Sequence, residues 1–111
     1  MNRFGLSELS LKLIQNVLSR YHSVEIARIF GSRTSNEHDE SSDIDLVLYG
    51  NFDYYTLGKI KLDLEEIDIP YFFDVLDFKN IHSDELKKQI EMYGKVIHKK
   101  SKGNLSHLIE K

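Results

Sequence analysis

The tightest constraint on this chain lies between Ile29 and Tyr49, which reads I-F-G-S-R-T-S-N-E-H-D-E-S-S-D-I-D-L-V-L-Y. An apolar run ends in Gly31-Ser32, a polar loop follows, and a second apolar run opens with Asp43-Ile44-Asp45. Side chains alternate between faces along a strand, so Asp43 and Asp45 point one way while Ile44 and Leu46 point the other. Two carboxylates sharing a face repel each other unless a proton or a cation lies between them. Near neutral pH a hard divalent ion with oxygen ligands is the usual solution. Glycine permits close backbone approach, exposed turn amides and a serine hydroxyl suit phosphate oxygens, and Arg33 adds a cation to the same turn. The stretch points to a magnesium site beside a phosphate-binding turn. By itself, however, Gly-Ser is a common turn and an Asp-x-Asp pair is commonly a solvated strand entry.

The chain on either side supplies a scaffold. Leu9, Leu11, Leu13, Ile14, Val17, Leu18 and Tyr21 recur at helical intervals and predict an amphipathic helix over residues 6–21, with Ser7 a weak start signal. Val24 to Phe30 alternates as a strand that runs into Gly31. Thr34 to Ser42 is a solvated loop, with His38 and Asp39 among its polar residues. After the strand over Asp43 to Tyr49, Asp53 is placed to cap a helix from Tyr54 to Ile67, which Pro70 terminates. Ser83 caps a further helix whose Leu86, Ile90 and Tyr93 share a face and which ends at Gly94, and Val96-Ile97 suits a short strand.

A third carboxylate stands inside the run Tyr71 to Phe78, which is otherwise aromatic and aliphatic. If Asp74 is buried there, it needs compensation, because an unpaired buried carboxylate costs a large part of a domain's stability; the alternative is a strand edge or hydrogen bonds to a neighbouring backbone. Asp77 has the opposite parity and lies at the end of the strand, where a solvated or capping role is cheaper. Asp74 is therefore the candidate for the site.

Composition narrows the class. A chain of 111 residues suits one domain with a single core, here residues 1–98, followed by a basic then apolar tail over 99–111 that is either frayed or partner-binding. A net charge of -3 gives no footprint for sequence-independent nucleic-acid binding. Without cysteine there is neither a disulfide framework nor a thiolate metal site. The chain has no long apolar run and no signal-like amino terminus, which points away from membranes and toward the cytoplasm.

Taken together, Gly31-Ser32, the interval to Asp43-Ile44-Asp45, and a lone Asp74 in an apolar strand resemble the minimal, single-domain branch of the polymerase-beta-like nucleotidyltransferase superfamily, over roughly residues 24–97. The resemblance implies an α/β (α+β) nucleotidyltransferase fold with a small mixed sheet of three to four strands flanked by helices. It implies that Asp43, Asp45 and Asp74 are the catalytic and metal-binding carboxylates, holding two Mg²⁺ ions. It further implies that Gly31, Ser32 and Arg33 bind the phosphates of ATP. Many relatives continue the turn as Gly-Ser-Arg-Ala-Arg-Gly, whereas this chain has Thr34-Ser35-Asn36 after Arg33. Similar minimal nucleotidyltransferases are antitoxins of HEPN-domain toxins, and some transfer AMP to a tyrosine of the toxin. Two alternatives remain, an antitoxin acting by contact alone and a small-molecule nucleotidyltransferase that works with a separate substrate-binding subunit. If the chain is a transferase, its acceptor site comes from a partner or from another copy of the chain.

Overall fold

The computed structural model describes residues 4–34 and 42–100. Thr34 and Ser42 bracket the loop, so Ser35, Asn36, His38 and Asp39 lie outside the described residues, as does the tail beyond Lys100. Helix α1 spans Glu8–Ser19, strand β1 Val24–Phe30, β2 Ile44–Gly50, helix α2 Tyr54–Glu65, β3 Phe73–Asp77, helix α3 Asp84–Tyr93 and β4 Lys95–Lys99. The four strands form one mixed sheet in the order β3-β2-β1-β4. Strand β1 runs antiparallel to β2 and to β4, whereas β2 and β3 are parallel and α2 makes the crossover between them. This is the mixed sheet flanked by helices that the sequence implies.

Each helix begins where a side chain satisfies its first amides. Ser7 accepts from the Ser10 amide, Asp53 from Thr56 and Ser83 from Leu86. The alternation along the strands then divides the core between two faces of the sheet. Ile29, Ile44, Leu46, Leu48, Val75 and Ile97 meet Ile14, Leu18, Ile60 and Leu64 of α1 and α2. On the other face Val47, Ile90 and Ile81 pack with Phe30, Tyr49, Leu76 and Leu86. Tyr49 stacks on Phe78, with ring centroids 4.6 Å apart.

Several residues depart from the sequence expectation. Leu9, counted as part of the first apolar stripe, is exposed, as are Tyr55 and Leu62 of α2, because each helix buries only the narrow face that its sheet contact covers. Tyr93 is 59% exposed, although Ile90 beside it is fully buried. Asp77 has the parity of Phe73 and Val75 and is only 6% exposed. Its carboxylate accepts from the Lys79 amide and pairs with Lys79 Nζ at 2.5 Å, so the capping role holds but the solvation does not. Strand β4 reaches Lys99, and the Lys100 amide still donates to Glu25 O, so the sheet extends slightly past residue 98.

One side-chain bond ties the two helices of the first layer together. The Tyr21 hydroxyl, just after α1, donates to Asp63 of α2. Burial and then the Asp63 carboxylate push the tyrosine up to about 12 from its ordinary 10.0. Because the folded value is the higher one, this contribution is fully present below pH 10 and is lost as the pH rises toward 12. Tyr21→Phe is expected to lower the unfolding free energy by about 1 kcal/mol at neutral pH. In denaturant melts its stability should also fall less steeply than that of the parent chain across that alkaline window.

Candidate active site

The site forms where β1 ends and β2 begins. Phe30 is paired with Asp45 across the antiparallel β1–β2 ladder, and Asp45 is paired with Asp74 across the parallel β2–β3 ladder. Paired residues project from the same side of a sheet, so Phe30, Asp45 and Asp74 form a row on the face that also carries α3. Burial decreases along this row toward the edge strand, with Asp45 half-buried and Asp74 exposed. Asp43 is exposed and stands one residue before β2.

Directly after Phe30 the chain makes a short 3₁₀ turn over Gly31–Thr34, closed by a hydrogen bond of 2.7 Å from Thr34 Oγ1 to Gly31 O. Gly31 has φ +81°, and a Cβ placed there would lie 2.3 Å from Asp45 Oδ2. Any larger residue would pay for a left-handed backbone and also displace the carboxylate. Glycine thus lets the Asp45 carboxylate tuck against the turn, which joins the two halves of the motif physically. Ser32 is exposed on the same turn.

Arg33 differs from its expected role. Its side chain is 1% exposed, the largest fully buried one among the described residues. Nε and Nη2 donate to Ser42 O at 3.1 and 2.7 Å, Nη1 donates to Phe4 O at 2.8 Å, and the guanidinium lies 4.6 Å from the centre of the Tyr71 ring. A planar group engaged by backbone carbonyls and covered by an aromatic ring is an internal fastener, so direct contact with phosphate is corrected to support from within. Asp74 requires a similar correction. It is not buried, because β3 is an edge strand, and the cost of burial that singled it out in the sequence does not apply.

The electrostatics of the carboxylates suit a cation. Burial pushes the Asp45 carboxyl above the usual range, Asp74 and then Asp43 push it further, and Arg33 opposes them. All three are hard oxygen donors of the kind Mg²⁺ takes, and a divalent ion would relieve this repulsion. As the side chains stand, no group of three or more such donors is gathered among the described residues. Asp43 and Asp74 are both exposed, so turning their side chains toward Asp45 buries no further group.

The sequence alone did not pick out Phe30, Gln89 and Tyr93, which with Gly31 and Thr34 line a cleft of 330 Å³ next to the turn. The available signals were the strand parity of Phe30 and the four-residue spacing of Gln89 and Tyr93, which places them on one face of α3.

A turn that presents Gly-Ser beside paired carboxylates on neighbouring strands defines a nucleotidyltransferase-type site. The chain belongs to the polymerase beta nucleotidyltransferase family, whose model, "Polymerase beta, Nucleotidyltransferase", matches residues 12–103. It is 39% identical over 80 residues to a protein of Methanocaldococcus jannaschii named as a protein adenylyltransferase, a match covering 70% of this chain and 83% of that one. Among solved structures it is similar to a toxin-antitoxin complex with AMP-PNP, at TM-score 0.63 and 19% identity over 89% of this chain and 77% of that one. It is also similar to a complex of a tri-AMPylated Shewanella oneidensis HEPN toxin with its MNT antitoxin, at TM-score 0.62 and 18% identity over 89% and 76% of the two chains. At such identities the structural likeness establishes the fold.

Two outcomes follow from this geometry. Arg33→Met removes the hydrogen bonds that the guanidinium gives to the Ser42 and Phe4 carbonyls and should cost about 3 kcal/mol in denaturant melts, which loss of a solvent-facing phosphate ligand would not. Asp45→Asn removes the most crowded of the three charges. It should therefore raise the melting temperature in chelator while abolishing any rise in melting temperature that Mg²⁺ gives the parent chain.

Proposed function

We propose that this chain is a Mg²⁺-dependent adenylyltransferase that moves AMP from ATP onto a tyrosine of a HEPN-domain toxin and so acts as its antitoxin. The observation that carries the reading is the row made by Asp45 and Asp74 across β2 and β3, set against the Gly31–Ser32 turn. The names of the relatives support it, one being called a protein adenylyltransferase and another belonging to a complex with an AMPylated HEPN toxin.

In this reading Asp43, Asp45 and Asp74 hold two Mg²⁺ ions, which when bound supply charge stabilisation at the α-phosphate and at the entering and leaving oxygens. Ser32 and the turn amides orient the β- and γ-phosphates, and the buried Arg33 keeps Ser42, and hence the approach to Asp43, in place. The tyrosine oxygen of the acceptor forms the new bond to the α-phosphorus, and the bond to the bridging oxygen of pyrophosphate breaks in line with it. Asp74, on the edge strand, accepts the phenolic proton or passes it to solvent. The products are an AMP-tyrosine ester and pyrophosphate. Positioning and preorganised charge carry the rate, with no covalent enzyme intermediate.

No helix among the described residues is long and apolar enough to cross a membrane, and the proposed pair would act in the cytoplasm. The test is incubation of the chain with labelled ATP, Mg²⁺ and the HEPN protein of its own locus. Label should appear on a tyrosine of that protein, and Asp43→Asn with Asp45→Asn should reduce it by roughly a hundredfold or more, the scale of several kcal/mol of lost charge stabilisation. Neutralisation by the double variant without any label would replace this reading with inhibition by contact alone. Label on a small molecule would replace it with the two-subunit transferase.

A further inference from the structure

The row of Asp74, Asp45 and Phe30 continues into a second chemical environment. Beyond Gly31 it meets the cleft of 330 Å³ lined by Phe30, Gly31, Thr34, Gln89 and Tyr93. Among the described residues this lining contains neither Lys nor Arg to meet a polyphosphate and no carboxylate to hold a metal. What it does offer is two aromatic rings and one amide. The Tyr93 ring is 59% exposed although it lies at the end of a well-anchored helix, and Gln89 stands one turn before it on the same face of α3.

We infer that this cleft is the nucleobase pocket of the site, with Tyr93 as the stacking platform and Gln89 as the residue that reads the edge of a purine. The inference rests on the nucleotidyltransferase reading above. Every base presents a flat π-face, so stacking on a tyrosine gives affinity without much selectivity. A glutamine amide presents a donor and an acceptor together, and this pair complements the adjacent amino group and ring nitrogen of adenine. Read on the N7 edge, a purine with a keto group in place of that amino group presents two acceptors, and the amide can satisfy only one of them. Gly31 joins the two places, since a Cβ on it would meet the Asp45 carboxylate and the residue also lines the cleft. A nucleotide whose phosphates rest on the turn therefore has its base next to Phe30 and Tyr93.

The experiment compares ATP with inorganic tripolyphosphate, which has the same charged portion and no base, by calorimetric titration of the full chain in Mg²⁺. Tyr93→Ala should weaken ATP by about tenfold, the scale of losing one stacking contact, and leave tripolyphosphate unchanged. Tyr93→Phe should keep the parent affinity for ATP. Gln89→Leu should erase the preference for ATP over GTP while leaving tripolyphosphate unchanged. Equal weakening of ATP and tripolyphosphate by Tyr93→Ala would make the cleft a phosphate subsite, and no effect on either would remove it from the nucleotide site. Both results overturn the inference. A parent chain that shows the expected binding pattern yet transfers no label refutes the proposed reaction and leaves the pocket standing, whereas binding of neither ligand refutes both.

Discussion

Three segments far apart in the sequence meet at one buried guanidinium. Arg33 takes the carbonyl of Phe4 from the amino-terminal segment and the carbonyl of Ser42 from the approach to β2, and lies on the ring of Tyr71 from the approach to β3. Burying a charge is expensive unless its hydrogen-bonding capacity is met, and here backbone oxygens and a π-face meet it. The benefit is local rigidity where it matters. The two strands that carry Asp45 and Asp74 both begin within a few residues of that cation, so their relative position is set just before either enters the sheet.

That arrangement tolerates the repulsion at the site. Asp45 is half-buried with two other carboxylates nearby, a combination that would favour local opening in a loosely held loop. Close contact between Gly31 and Asp45 leaves the carboxylate little room to swing away, and the cation behind it lowers the cost of keeping it charged. The resulting row of carboxylates is supported from within by Arg33 and self-repelling at its surface.

Much of this was legible in the sequence, for identifiable reasons. Strand β1 follows from its parity pattern running into Gly31 and β2 from the apolar body Leu46 to Tyr49, α1 and α3 from apolar spacing and serine caps, and the Gly-Ser turn with its carboxylates from a spacing too particular for chance. The features that escaped depend on pairing across the sheet. The run Tyr71 to Phe78 suits a buried strand and a strand edge alike, and only the pairing decides for the edge, where Phe72 is 81% exposed. Arg33 read as a phosphate ligand because arginines near turns usually face solvent. Its partners are main-chain carbonyls, which carry no sequence signal. Tyr93 read as scaffold because it shares helical spacing with Ile90, and only the limited reach of the sheet beneath α3 shows that the ring is uncovered.

The place of β3 at the margin of the sheet has a consequence for how a reaction here would be timed. Asp74 faces solvent on a strand with a neighbour on one side alone, so among the described residues nothing covers the flank from which the acceptor hydroxyl of the proposed reaction would arrive. The incoming macromolecule would itself supply the missing wall and expel water as it docks. Turnover would then follow the residence time of that encounter rather than an internal opening motion, and fidelity would reside in the contact between two proteins.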